Sequence, residues 1–537
     1  MSAVRAPLLT FILALLVVGA IRVRLLDVPL ERDEGEYAYA GQLILQGVPP
    51  YRLVYNMKLP GTYAAYAAIL AIFGQTPRGV HLGLLLVNLA TAVLLFVLGR
   101  RLFDDVTAAA AGSLFAILSL SQGVLGAFAH ATHFVLLPAV AGTLLLLRAI
   151  DTRRASTLLA SGLLFGTAFV MKQHGIAFVL FALLWLAWEG LRRRERPSRI
   201  AASCGWIVLG AALPFAGTCL VLAVAGVFGN FWFWTFDYAR TYVSQVPLMA
   251  GARLLAEMVP AVTASTWPIW VLAGVGLAAP LWDGPARRRF RFTTTFALVS
   301  FLAICPGLYF REHYFVLLLP ATALLAAVGA ASLARALAGA GGAMTPERRE
   351  GVARAVLLAI CAAAFVQSVY RERALFFRLA PDTMSRAVYG ANPFPEAMVI
   401  AKRIEQDTGP DDRIAVLGSE PEIDFYAHRR SATGYIYMYG LMEEQPYARR
   451  MQQEAIREIE AHAPRYVVFV NVPQSWLRRP ESDTTILTWS QSFLTDHYAV
   501  VGIADIAPDG ETVYVWGDDA LEYTPRSPLV YLFKRVS

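Results

Sequence analysis

Charge is scarce in this sequence. Only 16% of its 537 residues are Asp, Glu, Lys or Arg, while 57% are hydrophobic and the mean hydropathy is +0.50. A soluble chain of this length would fold as several domains with charged surfaces, and the composition excludes that. Cysteine is scarce as well: Cys204, Cys219, Cys305 and Cys361 all lie in apolar stretches. They lack the spacing of a disulfide framework or a metal site and read as small core residues. The first apolar run (7–21) has no small-residue cleavage site after it but Arg22-Val-Arg24, so it reads as an uncleaved anchor helix. No internal repeat is found, and Gly418-Ser-Glu-Pro421 lacks the further glycines of a phosphate-cradling turn. The net charge of +7 sits in arginine clusters within short loops. That distribution marks membrane topology rather than a nucleic-acid patch.

What is present is a series of apolar runs. They fall near residues 7–26, 80–99, 106–121, 131–149, 156–171, 175–191, 200–228, 267–282, 292–309, 313–335 and 352–370. One further run, 61–74, would be a helix of only about 21 Å, short for a hydrocarbon layer of about 30 Å. The arginine-rich loops 100–101, 153–154, 192–194, 287–289 and 348–349 belong together on the cytoplasmic side. With an inside N-terminus they share that side only if 61–74 lies along the interface, inside one outer loop of about 27–79. The count is then about eleven spans, with the C-terminus outside. The polar tetrapeptide Lys172-Gln-His174-Gly175 breaks 157–189 into two spans, because a single helix would run about 50 Å. The expected fold is a polytopic α-helical membrane protein over 1–370. From about residue 371 strand-like runs appear (413–418, 466–470, 513–516, 529–533), with a helical stretch at 447–462. They predict a C-terminal extracytoplasmic α/β domain over 371–537.

The outer loops gather the chemistry. The first holds Glu31-Arg-Asp33-Glu34-Gly-Glu36-Tyr37 and Lys58-Leu-Pro-Gly-Thr-Tyr63. Further along come His130-Ala-Thr-His133, Lys172-Gln-His174, Asp237-Tyr238 with Arg240 and Tyr242, and Arg311-Glu312-His313-Tyr314. Four of the eight histidines lie at these outer ends, whereas the inner loops are mostly arginine. Ionisable groups at a membrane boundary are costly unless they line a wet cavity, so the cluster reads as a functional site. Taken singly, each piece has a plainer reading. An acidic pair can be a solvated loop feature, His130 and His133 (one helical turn apart) can bond to backbone, Lys172 and Arg311 can snorkel to headgroups, and the tryptophans can be belt anchors.

As a set, these residues resemble the GT-C superfamily of glycosyltransferases, and within it the bacterial glycosyltransferase family 39 group related to protein O-mannosyltransferases and aminoarabinose transferases. The resemblance rests on the acidic pair after the first span, the Lys58-Leu-Pro-Gly-Thr-Tyr63 segment, the helix that does not cross and the Arg-x-His-Tyr entering a late span. It covers roughly residues 1–340. It implies transfer of a sugar from a polyprenyl-phosphate donor to an acceptor hydroxyl on the outer face of a bacterial inner membrane, with Asp33 as the catalytic residue and Glu34 beside it. Many relatives carry a second acid at the outer end of a following span, where this chain has His130 and His133, so the use of a divalent metal is open.

The chemistry is intelligible in its own terms. A lipid phosphate departs without needing a proton, so the site needs a base for the acceptor hydroxyl and cations for the phosphate. Asp33 is the expected base of an inverting displacement. Lys58 and Arg311 are the first candidates for the phosphate, then Arg240 and Lys172, with His313 and Tyr314 alongside. Asp33, Glu34, His130 and His133 are the available metal ligands. The expected partners are the lipid-linked donor, a lipid, glycan or protein acceptor and the bilayer. The rival readings are a flippase of lipid-linked saccharides, which would be expected to carry a repeat or charges near the midplane, and a sensor, which would not need so many ionisable residues at span ends. The sugar, acceptor, lipid length and oligomeric state are not encoded in any motif found.

Overall fold

The computed structural model describes residues 2–340, 344–507, 511–525 and 528–536, with side chains from residue 6 onward. Helices stand at all eleven apolar runs. Among the described residues, seven are long and apolar enough to cross a membrane: Ala6–Arg24, Pro77–Leu102, Ala131–Thr152, Gln173–Arg192, Pro197–Val224, Glu312–Ala340 and Pro346–Arg371. Two more, Asp105–Leu118 and Ala155–Met171, are shorter. The last two form the pair Trp267–Leu281 and Gly284–Ile304, which turns through 116°.

The short helix Asp105–Leu118 is tolerated because protein surrounds it. Every residue from Val106 to Leu118 is buried, against Ser2–Arg24, Pro77–Leu102, Leu319–Ala340 and Pro346–Arg371. Its alanines and glycine let those neighbours approach closely, and a Cβ on Gly99 would sit 2.8 Å from the Cα of Ala108. Asp104 caps its first turn by accepting from the backbone N–H of Val106 and Thr107, which satisfies two of the donors a helix start leaves open. At the sharp turn, Asp283 caps the following helix at Ala286 and takes a two-pronged contact from Arg335 at 2.9 and 2.7 Å.

Between the first two long helices lie Arg32–Leu45 and Gly61–Phe73, packed on each other. The chain breaks again at Lys172–Gly175, between Ala155–Met171 and Ile176–Arg192.

Among the described residues the C-terminal part holds six strands: β1 Arg413–Leu417, β2 Arg430–Ser431, β3 Tyr466–Asn471, β4 Tyr498–Ile506, β5 Thr512–Trp516 and β6 Leu529–Arg535. Their order is β2-β1-β3-β6-β4-β5, parallel for β2-β1-β3 and antiparallel elsewhere. The side chains alternate as a strand requires. Ile414 and Val416 join one core with Ile400 and Ile404, while Ala415 and Leu417 join another with Met451 and Ile459. Helices therefore cover both faces of this part of the sheet. All four strand-like runs in the sequence are strands, and the helical stretch 447–462 is the helix Ala448–His462. The pattern missed β2, which is two residues long, and β4, whose alternation is interrupted by a bulge between Val500 and Gly502.

The short helix Pro421–Ala427 lies directly on Arg32–Leu45. This contact brings the sheet domain to the outer-loop chemistry.

Candidate active site

The site begins with a helix end. Glu31 caps Arg32–Leu45 by accepting the Glu34 N–H at 3.0 Å, and the Glu34 carboxylate accepts the Glu31 N–H at 3.2 Å. This reciprocal pair is a capping box. The other oxygen of Glu34 takes the backbone N–H of Ala129 at 2.5 Å and meets His81 Nε2 at 3.0 Å. Glu34, paired with Asp33 as catalytic in the sequence reading, is fully buried and occupied in pinning the helix to the bundle. It does not line the cavity that its neighbour Asp33 lines.

Asp33 and Glu36, one turn apart on the same face, bracket the Lys58 ammonium at 2.7 and 2.6 Å. Glu36 also accepts from Asn56 at 2.9 Å and from the Tyr63 hydroxyl. A second donor reaches Oδ1 of Asp33: the Tyr437 hydroxyl, at 3.0 Å, from a segment 404 residues away. Burial opposes the ionisation of Asp33, but Lys58, with His130 and His313, overcomes it and holds the carboxyl well below the ordinary carboxylate range. Lys58, expected among the first phosphate ligands, is thus engaged by two carboxylates.

Oδ2 of Asp33 lies 3.7 Å from Nδ1 of His130. The His130 ring stacks on His313 with centroids 4.3 Å apart, and neither of its ring nitrogens has a hydrogen-bond partner. Asp33, His130 and His313 each offer a ligand atom within 4.8 Å of the others. His133 is not in this group; its Nδ1 meets Asn88 at 3.0 Å inside the bundle. The one-turn spacing misled because His130 is the cap before the helix, with φ −58° and ψ 148°, so the two histidines do not share a helical face.

Asp33, Lys58 and His313 border a cavity that opens to solvent. Lys172 and Arg311 also line it, and among the described residues neither has a carboxylate partner. Lys172 lies 4.2 Å from the centre of the Tyr314 ring. Burial pushes its ammonium down to about 7, with Lys58 and Arg311 adding to the effect against the pull of Asp33. His313 and Tyr314 line the cavity as well. Arg240 does not: Tyr238, Ala239, Tyr242 and Val243 present one face of their short helix to the cavity, and Arg240 is exposed on another. Aromatic rings form much of the wall, including Tyr55 stacked on Trp234 at 5.8 Å and edge-on to Tyr435 at 5.1 Å. Tyr435, Tyr437 and Tyr439 were missed in the sequence. All three line the cavity, and their every-second-residue spacing was the available signal.

Comparison with known proteins gives the site a context. The sequence profile of the dolichyl-phosphate-mannose-protein mannosyltransferase family matches residues 58–218. Among solved structures, ArnT from Cupriavidus metallidurans bound to undecaprenyl phosphate is 16% identical, with a TM-score of 0.59 over 98% of this chain and 97% of its own. The oligosaccharyltransferase AglB from Archaeoglobus fulgidus, in complex with an inhibitory peptide and a dolichol-phosphate, is 14% identical, with a TM-score of 0.52 over 95% of this chain and 74% of its own. The same Archaeoglobus fulgidus enzyme in complex with Zn and sulfate is 12% identical, with a TM-score of 0.51 over 94% and 73%. Comparison with curated protein sequences returns no match. A family segment that opens on Lys58 itself lies within a chain that takes the fold of these solved glycosyltransferases over nearly its whole length, so the protein is similar to them in fold and, like them, is a multi-pass membrane protein.

Proposed function

We propose that this enzyme transfers a sugar from a polyprenyl-phosphate donor to an acceptor hydroxyl at the outer membrane surface, with Asp33 as general base. One observation carries the reading: a single cavity holds an ionised carboxylate and two cations, Lys172 and Arg311, that have no carboxylate partner among the described residues. The solved relatives were captured with undecaprenyl phosphate and with a dolichol-phosphate, which supports the donor class. The arginine-rich loops opposite the site support the outward orientation.

In the reaction, the acceptor oxygen attacks the anomeric carbon and its proton passes to Oδ2 of Asp33. The bond from that carbon to the phosphate oxygen breaks, the electron pair leaves with the phosphate, and the configuration inverts. Arg311 and Lys172 take up the charge of the departing phosphate. Lys58 does not lose its counter-ion when Asp33 is neutralised, because Glu36 still holds it at 2.6 Å.

A divalent cation fits Asp33, His130 and His313: one carboxylate oxygen and two imidazoles form a donor set of the transition-metal type, and among the described residues the His130 nitrogens are buried without a hydrogen bond, Nδ1 lying 3.5 Å from Glu31 and 3.7 Å from Asp33. Held by these three residues, such an ion would supply positive charge to the site.

The test is release of free polyprenyl phosphate by the purified enzyme in detergent, given polyprenyl-phosphate sugars and an acceptor. Asp33→Asn should lower turnover by about a hundredfold or more while the protein stays folded. Turnover that persists in Asp33→Asn would move the base elsewhere. No release from any donor would turn attention to lipid translocation.

A further inference from the structure

The base is not held by the membrane helices alone. We propose that the C-terminal domain completes the active site, with Tyr437 as a positioning residue that fixes Oδ1 of Asp33 and leaves Oδ2, on the His130 side, to take the acceptor proton. This rests on the reading of Asp33 as the base.

The argument starts from how the phenol is held. Tyr437 belongs to the irregular segment between β2 and the helical turn Tyr439–Met442, which is tied down along its length. Glu458 accepts from the Thr433 hydroxyl at 2.6 Å and from the Gly434 N–H at 3.0 Å, and the Gly434 carbonyl accepts the Tyr55 N–H at 2.8 Å. Next to the phenol, the Met438 N–H donates to the Ser419 hydroxyl oxygen at 2.8 Å. The carbonyl of the same Ser419 accepts from Arg32, the residue beside Asp33, at 2.5 Å. Arg32 is held further by Glu420 at 2.6 Å and Asn392 at 3.0 Å. One buried residue at the end of β1 therefore fixes the neighbour of the base and the neighbour of its donor.

A phenol meeting a carboxylate on a mobile loop would pay rotamer entropy for each encounter. Here both partners are referred to a common anchor, so the carboxylate is aimed before the acceptor arrives. With Lys58 and Tyr437 both on Oδ1, the free lone pairs of Oδ2 remain for chemistry.

The experiment uses full-length Tyr437→Phe, which keeps the ring and removes the hydroxyl, with thermal unfolding as the check on folding. Turnover at saturating donor should fall about tenfold or more, with the donor KM within about twofold of wild type. The acid limb of the kcat profile should move to higher pH, because a carboxylate that loses a donor protonates more readily. Ser419→Ala should move kcat and the acid limb in the same direction by a smaller factor. Wild-type turnover with an unmoved acid limb in Tyr437→Phe would overturn the proposal. So would a parallel rise in donor KM, which would make the phenol a substrate contact. If wild type shows no turnover, the base reading fails. The infrared carboxylate band lost in Asp33→Asn then decides the hydrogen bond separately: it must shift in frequency in Tyr437→Phe, and an unchanged band would overturn the proposal.

Discussion

At the scale of single residues, burial sorts the charged groups of the outer loops into roles that their types alone do not show. Glu34 and Asp33 are adjacent carboxylates, yet one accepts from backbone and histidine inside the protein and the other faces the cavity. Lys58 and Lys172 are both cations of one cavity, yet among the described residues only Lys58 has carboxylate partners. Lys172 consequently carries a pH prediction. Its ammonium, held down to about 7 by burial, is charged below that pH and neutral above it. If it binds the donor phosphate, kcat/KM for the donor should fall as pH rises through about 7, and Lys172→Gln should flatten that limb. A limb of equal slope in the variant would remove Lys172 from phosphate binding. The histidines give a second prediction. After loading with Zn and desalting, elemental analysis should find metal retained by wild type and by His133→Ala but lost from His313→Ala and His130→Ala. Equal retention by all four proteins would dismiss the Asp33–His130–His313 group as a metal site.

At the scale of elements, the decisive contact is the crossing of Arg32–Leu45 with Pro421–Ala427. Gly35 makes it possible, since a Cβ there would stand 2.7 Å from both the Cβ and the backbone nitrogen of Glu422. Backbone cannot give way as a flexible side chain does. Gly35→Ala should therefore destabilise the protein by about 1–3 kcal/mol, visible as a lowered thermal midpoint in detergent. A midpoint equal to wild type would show that the two helices are not pressed together in solution.

At the scale of the whole molecule, the membrane and sheet portions share buried charge. Arg32 and Glu420 pair at 2.6 Å with their side chains 11% and 0% exposed. Removing one partner strands the other, so Arg32→Ala should cost about 3–5 kcal/mol, whereas Arg32→Met with Glu420→Met should recover most of that loss. Double-mutant stability measurements decide it: strict additivity would mean the pair is not coupled. Orientation is tested separately by labelling single added cysteines in a background from which the native four have been removed. Arg479→Cys should react with a membrane-impermeant maleimide from outside intact cells and Arg288→Cys only after lysis. The reverse pattern would invert the proposed topology.

The sequence by itself determined that this is a membrane protein, where its apolar helices lie and that its ionisable residues collect at a few loop positions. These are local properties: a run of apolar residues and a polar break such as Lys172–Gly175 carry their own signature. Asp33, Lys58 and Arg311 were legible because charge beside a long apolar run is costly and therefore conspicuous. Of the four lysines in the chain, two line the cavity, a scarcity that would have ranked Lys172 higher. Only the tertiary structure decided how those residues divide the work. That Lys58 is spoken for, that His313 rather than His133 joins His130, and that a phenol 404 residues away donates to Asp33 all depend on contacts between segments distant in the chain. Such contacts are set by packing and by which hydrogen bonds burial leaves open, and no spacing within a loop encodes them.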